Sequence, residues 1–404
     1  MITPAFSLTA TERVLPKLAL DFTTASLDPR ITFTRTTGAS NPATYVNNGG
    51  AVTAATNNQP RFDYDPVTLV CKGLLIEESR SNSLIYSDQF NDATWVKTNA
   101  SISADAAVSP DGTSNADALS KSAAFGSIYQ GLTIATGTYT ASVYMKAGTR
   151  TTGAFAVTEN GSTTVLARAN INLSTGVVTN NTGTVFAVAA GNGWYRVYTT
   201  VTTTNTSVRV FIYSGTYNGS ETGDVYAWGA QLEAGAFATS YIPTTTAALT
   251  RNADVATMTG TNFSDWFNAS EGTFVAEGSY STNSANCLYV NDGTTSNRLM
   301  LYMGNSAQGL ITTAGVAQAS LDGGTPIVGG ALNKVCLSYK ANNFGLALQG
   351  GATVTDTSGT VPTVSQLNIG AGPALQQPLN GVITGFEYYP QRLTNAEIQA
   401  FSKG

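Results

Sequence analysis

TYTASVYMKA (138–147), WYRVYTTVTTT (194–204) and VRVFIYSG (208–215) decide the fold of this 404-residue chain. Aromatic and β-branched residues alternate along each run, and a period of two puts successive side chains on opposite faces of a strand. SPDG (109–112), NNTG (180–183), AGNG (190–193) and YNGS (217–220) supply turns between such runs. Strands of this length joined by short turns predict an antiparallel sandwich over 86–243. The Thr-rich stretch 199–206 suits a solvent-facing strand, because Thr is branched at Cβ yet polar.

A second series lies downstream: GTFVAEGSYS (272–281), CLYVND (287–292), NRLMLYMG (297–304), KVCLSYKA (334–341), FGLALQG (344–350), LNIGAG (367–372) and GVITGFEYYPQRL (381–393). It predicts another pair of packed antiparallel sheets over 250–404. TTTAAL (244–249) reads as a linker. Helix is expected only in TNAEIQAFSKG (394–404), with Thr394 as N-cap, Glu397 closing a capping box, and Ile398 and Phe401 as its apolar face. Residues 1–85 read differently. Pro4, Pro16, Pro29, Pro42, Pro60 and Pro66 punctuate them, and only Leu18–Phe22, Ile31–Thr34 and Leu74–Glu77 are extended. This predicts an irregular, strand-poor arm or small domain that needs a partner surface. The fold class is therefore all-β and multidomain, with two antiparallel jelly-roll or lectin-like sandwiches after an irregular N-terminal region.

Composition narrows function. The chain has no histidine, so the usual general base and commonest metal ligand are missing. Charged residues are 11% against an ordinary ~25%. Net charge is -5 and no basic stripe develops, which argues against nucleic acid as a partner. No apolar run approaches the ~18 residues of a membrane span. The opening MITPAFSLTATERVLPKLALDF carries charge inside its only apolar stretch, so an export leader is not expected. Cys71, Cys287 and Cys336 are too few and too far apart for a disulfide framework. They read as free thiols, with a meeting of Cys287 and Cys336 across two strands as the alternative.

ITFTRTTGASNPATYVNNGG (31–50) with QPRFDYDPVTLVCKGLLIEESRSN (59–82), then YSDQFNDATWVKTN (86–99), SPDGTSNADALS (109–120) and GDVYAWGAQLEAGAFATSYIPT (223–244), and finally GFEYYPQRLTNAEIQAFS (385–402), together resemble tailed-phage structural proteins of the tail-fibre or virion-associated kind. The middle unit is similar to jelly-roll carbohydrate-binding modules, and the last to concanavalin A-like lectin or laminin-G-like sandwiches. The resemblance implies a non-enzymatic fibre or spike on the virion surface, assembled in the host cytoplasm. Residues 1–85 would then attach to other virion proteins or oligomerise, and 86–243 and 250–404 would face a host-surface glycan. It also implies a homo-oligomer, with a trimer as one form it could take and nothing in the residues to fix the number. A capsid decoration protein and a capsule-degrading enzyme are the alternatives.

An exposed aromatic ring can stack on the apolar face of a sugar. Alternation from Val225 places Tyr226 and Trp228 on one face, and one of Trp194 and Tyr195 must lie opposite the core. Trp194, Tyr195, Tyr226 and Trp228 are thus glycan-binding candidates, with core anchoring as the competing role. Trp266 beside Phe263 and Phe267 reads as hydrophobic closure of the last unit. A structural calcium ion is the single cofactor considered. Asp63 and Asp65, sharing a strand face beside Arg61, Asp111 in the Asp-Gly turn, and Asp292 with Asn291 and Asn297 in the loop 291–297 are its candidate ligands. The competing roles are an Arg–Asp network before Pro66 and ordinary Asp-Gly turns, with Asn115 and Asp117 in solvent. Glu77 and Glu78 point to opposite faces, and one of them should pair with Arg80. Glycan cleavage would need two converging carboxylates. Asp224, Glu233, Asp254, Glu271, Glu277 and Glu387 are available, and no spacing selects a pair.

Overall fold

A computed structural model describes residues 15–35, 43–281, 284–304, 306–326 and 330–403. The chain is mostly strand, arranged as two β-sandwiches. In the middle sandwich one six-stranded sheet runs 185–189, 194–203, 137–147, 223–234, 116–121 and 100–107. The facing sheet runs 178–182, 165–172, 152–159, 207–214, 127–133 and 96–98. All pairings are antiparallel, as the alternation predicts. Val143, Met145, Val197, Phe155, Val210, Ile212 and Leu232 fill the space between them. Thr200 and Thr202 face outward and bond across to Thr140 and Thr138, both at 2.9 Å, while Thr199 and Thr203 are buried.

The C-terminal sandwich packs an eight-stranded sheet on a seven-stranded one. Residues 18–76 differ from the separate, strand-poor arm expected of them. Leu18–Asp21 pairs with Gly385–Tyr388, Cys71–Ile76 borders Gly381–Ile383, and Phe62–Tyr64 follows. Thr32–Thr34 adds to the opposite sheet beside Val255–Thr257. The reason is burial. Leu18, Leu20, Phe22, Phe33, Leu74 and Ile76 belong to the C-terminal core, and short apolar runs reach that core only as added strands. The partner surface that the segment needs is this chain's own last module.

Trp266 closes the core as expected, with its ring 5.0 Å from Phe263 and 4.9 Å from Tyr388. Helix Asn395–Phe401 carries the Thr394–Glu397 capping box and buries Ile398. Cys71, Cys287 and Cys336 are free thiols. Among the described residues no helix is long and apolar enough to cross a membrane.

A buried ion network joins the modules. Arg61 contacts Asp254 and lies 2.7 Å from Glu77; Arg35 reaches Asp254 at 2.8 Å and Arg251 reaches Glu77 at 3.2 Å. Ser240, just beyond the middle sandwich, donates its N–H and hydroxyl to Glu77, both at 2.7 Å. Burial would raise the Glu77 carboxyl, but Arg251, Arg61 and the Ser240 bonds hold it down to about 2. Arg61 thus serves Glu77 and Asp254 rather than Asp63 and Asp65. Glu78 takes Arg80, at 2.6 Å, while Glu77, just past the end of the strand Cys71–Ile76, enters the network.

Candidate functional site

Neither candidate tryptophan presents a ring to solvent. Trp194 is 1% and Trp228 2% exposed, and both lie in a small second core with Val52, Ala116, Tyr144 and Tyr241. Alternation placed Trp228 on the correct face of its sheet. Val52, from the N-terminal hairpin of Thr44–Val46 with Val52–Ala54, and Tyr241 cover that face, and sequence periodicity carries no sign of the cover. Trp194 donates its indole N–H to the Val108 carbonyl at 3.1 Å. Tyr195 is half-buried against the main core, and Tyr226 packs half-buried against the Trp228 cluster.

The calcium candidates are already employed by the chain's own donors. Asp63 accepts from Val46 N at 2.8 Å and pairs with Lys72. Asp65 accepts from Val67 N and Thr68 N. Asp111 accepts from Ser109, Thr113 and Asn115. Asp292 does the same for Thr294 and Asn297. Among the described residues no three Asp, Glu, Cys or His side chains gather where they could hold a metal. Asp117, expected in solvent, is buried and accepts from Phe90 N at 2.8 Å and Asp105 N at 3.1 Å.

The available carboxylates are also engaged. Glu233 is buried and accepts from Gln231 and Thr239. Asp254 sits in the ion network, and Asp224 accepts from Thr149 at 2.6 Å. Glu271 and Glu277 pair with Lys340 and Lys334, and Glu387 accepts from Tyr389.

A cavity of about 630 Å³ lies where the two sandwiches and the N-terminal hairpin meet, lined in part by Asp63, Lys72, Tyr144, Arg196, Tyr198 and Phe237. Its charges are already engaged. Lys72 pairs with Asp63, and Arg196 bonds Ser142 at 3.1 Å while lying over the Tyr144 ring.

A different surface gathers unspent chemistry: the outward face of the sheet built on 152–159 and 207–214. In the strand Ser207–Ser214, Val208, Val210 and Ile212 point into the core, so Arg209, Phe211 and Tyr213 point out. Phe211 stands opposite Tyr129 on one side and Ala156 on the other; Tyr213 stands opposite Ala154. Rings follow one another across the strands. Tyr129 is 4.8 Å from Phe211, which stacks on Tyr213 at 5.7 Å and 17° between planes. Ala154 and Ala156 are too short to fill the next row. Tyr217 leans over them from the loop after Gly215, its N–H bonded to Asn170 Oδ1 at 3.2 Å. Exposed Phe125 extends the strip, 6.3 Å from Tyr217.

Each end of the strip holds a guanidinium over a ring. Arg168 Cζ lies 3.7 Å from the Tyr217 centroid, and Arg209 Cζ 5.0 Å from that of Tyr129. Burial pushes the Tyr213 hydroxyl up to about 12, against the pull of Arg168, so it stays protonated at neutral pH. Sequence reading passed over Tyr129, Phe211, Tyr213 and Tyr217. The available signal was in VRVFIYSG itself. Its Val-Val-Ile phase is sufficient for a core, which leaves Arg-Phe-Tyr as the outward phase.

No protein-family model matches the chain, and no curated protein matches it. Among solved structures, the carbohydrate-binding module CBM40 of the Ruminococcus gnavus IT-sialidase, bound to α2,3-sialyllactose, is similar over 33% of this chain and 84% of its own, at 19% identity and a TM-score of 0.31. Domain 4 of an extracellular GH43 arabinanase from Geobacillus stearothermophilus, in complex with arabinotriose, covers 37% of this chain and 73% of its own, at 13% identity and a TM-score of 0.29. A heptameric SAP-like pentraxin from Limulus polyphemus covers 33% of this chain and 70% of its own, at 10% identity and a TM-score of 0.26. These likenesses concern the β-sandwich fold alone.

Proposed function

We propose that this chain is a non-enzymatic adhesion protein that holds glycan on the outward aromatic face of its middle sandwich. The observation that carries the reading is the row of half-buried rings Tyr129, Phe211 and Tyr217 around the buried Tyr213 on the outward face of the sheet. A sugar chain laid along it buries apolar ring faces on the aromatics and offers hydroxyls to the polar groups beside them. The absence of histidine and the engagement of the available carboxylates support binding without turnover. The resemblance of 31–82, 86–120, 223–244 and 385–402 to tailed-phage structural proteins makes a virion fibre or spike the setting, with host-surface glycan as target and homotrimeric display. Residues 1–85 would contribute attachment through whatever surface they leave free beyond the strands they lend to the C-terminal sandwich.

The test is affinity for immobilised bacterial surface polysaccharide. The double variant Tyr129→Ala, Phe211→Ala is expected to bind at least tenfold more weakly, with native circular dichroism retained. Unchanged affinity in a folded double variant would refute the assignment of this face.

A further inference from the structure

We infer that the glycan taken by this face carries carboxylate groups, of the uronic-acid class, read by Arg168 and Arg209. The inference rests on the adhesion reading above and deepens it. Its starting point is an inequality among the arginines. Arg30, Arg35, Arg61, Arg80, Arg150 and Arg251 ion-pair with acids of the chain. Arg196, Arg298 and Arg392 hydrogen-bond to Ser142, Tyr289 and the Leu393 carbonyl. Arg168 and Arg209 have no acidic partner and no side-chain hydrogen bond among the described residues, and they share one sheet face. Both are half-buried rather than free in solvent.

A chain of net charge -5 has carboxylates to spare, so leaving two guanidiniums unpaired on one aromatic surface is informative. The tyrosine contact holds each guanidinium in place, its Nε buried and without a hydrogen-bond partner, so an N–H edge is left to be satisfied. That edge matches a carboxylate with two parallel hydrogen bonds, which an ammonium cannot do. The registers also set a span. Arg168 faces Ala156 and Arg209 faces Thr158, from the two strands flanking 152–159. Two strand spacings and a two-residue offset separate their Cα atoms by roughly 12 Å. One sugar cannot bridge both groups, so they suit two separate acidic residues of a polymer. Phe211, level with Arg168 across Ala156 and two residues from Arg209 on its strand, is the ring beside both that can carry the intervening sugar.

The experiment measures affinity for polygalacturonate, alginate and hyaluronan, each beside its carboxyl-reduced form, with dextran and galactomannan as neutral chains and a DNA duplex as competitor. The expected result is binding to at least one uronate polymer, at least tenfold weaker after carboxyl reduction and weakened by added salt. Arg168→Gln and Arg209→Gln should each weaken it at least fivefold, and Arg168→Lys should restore less than half of the loss. Phe211→Ala should remove binding to acidic and reduced chains alike. Equal affinity for the acidic and reduced polymers, unaffected by either Gln variant, overturns the carboxylate inference and leaves the adhesion reading standing. Equal competition by DNA also overturns it, since any polyanion would then do. Failure to bind any of the polymers overturns both.

Discussion

Replacing Glu77 by Gln tests the physical account of how the modules are joined. Glutamine keeps the size of the side chain and an oxygen for the Ser240 N–H, loses the acceptor for the Ser240 hydroxyl, and removes one negative charge from between Arg61 and Arg251. Two routes give the cost. The Glu77 carboxyl is held at about 2, against 4.5 for an unperturbed glutamate. At ~1.4 kcal/mol per pKa unit that depression is worth about 3 kcal/mol of folding stability. Removing one member of a buried pair costs ~3–5 kcal/mol, because the partner is left uncompensated. The routes agree, and a loss of about 3 kcal/mol lowers an unfolding transition by roughly 6–12 °C in a module of this length. The sign with pH follows from the lowered pKa. The contribution is complete above pH 4.5 and vanishes as pH falls through 2, so the deficit of the variant should shrink over that window. Differential scanning calorimetry of wild type and Glu77→Gln at pH 7, 4 and 2.5 reads this directly. Equal transitions at pH 7, or a deficit that stays constant down to pH 2.5, would show that the network does not bear the load assigned to it.

Two further predictions concern the middle sandwich. Trp228→Ala should cost ~3–5 kcal/mol by emptying the small core shared with Tyr144 and Tyr241, while affinity per folded molecule for glycan stays within twofold; urea titration and a binding isotherm on the same sample check both halves. Asp88 is raised to about 6 by burial and by the nearby Asp111, Asp117 and Asp105. A raised carboxyl favours the folded state below pH 3.8 and loses that advantage as pH climbs through 6, so Asp88→Asn should gain about 1–2 kcal/mol at pH 7.5 and nothing at pH 3.5, measured by the unfolding midpoint at both.

How far the sequence could be read depended on how local the determining contacts are. The strands at 138–147, 194–204 and 208–215 were legible because a period of two is written in adjacent residues. So was the capping box, whose two partners are three residues apart. Trp228 was legible as to face and illegible as to exposure, since Tyr241 and Val52 cover it from outside the strand. A bulge at Gly229 (φ +63°) also resets the alternation, returning Ala230 and Leu232 to the core phase. Arg61 was paired by proximity with Asp63 and Asp65. Its true partner Asp254 is brought near only by the return of the chain after the middle sandwich. The aromatic face is written in VRVFIYSG, in an Arg-Phe-Tyr phase that carries no tryptophan to mark it.

Pairing of Leu18–Asp21 with Gly385–Tyr388 has a consequence for synthesis. On the ribosome these early segments are made long before the strand that receives them. The middle sandwich, whose strands all lie between 96 and 234, can close first, while the apolar runs around Leu18 and Leu74 wait. A nascent chain that stalls before Gly381 would therefore carry one finished module and a set of sticky unpaired edges, an obvious substrate for chaperones.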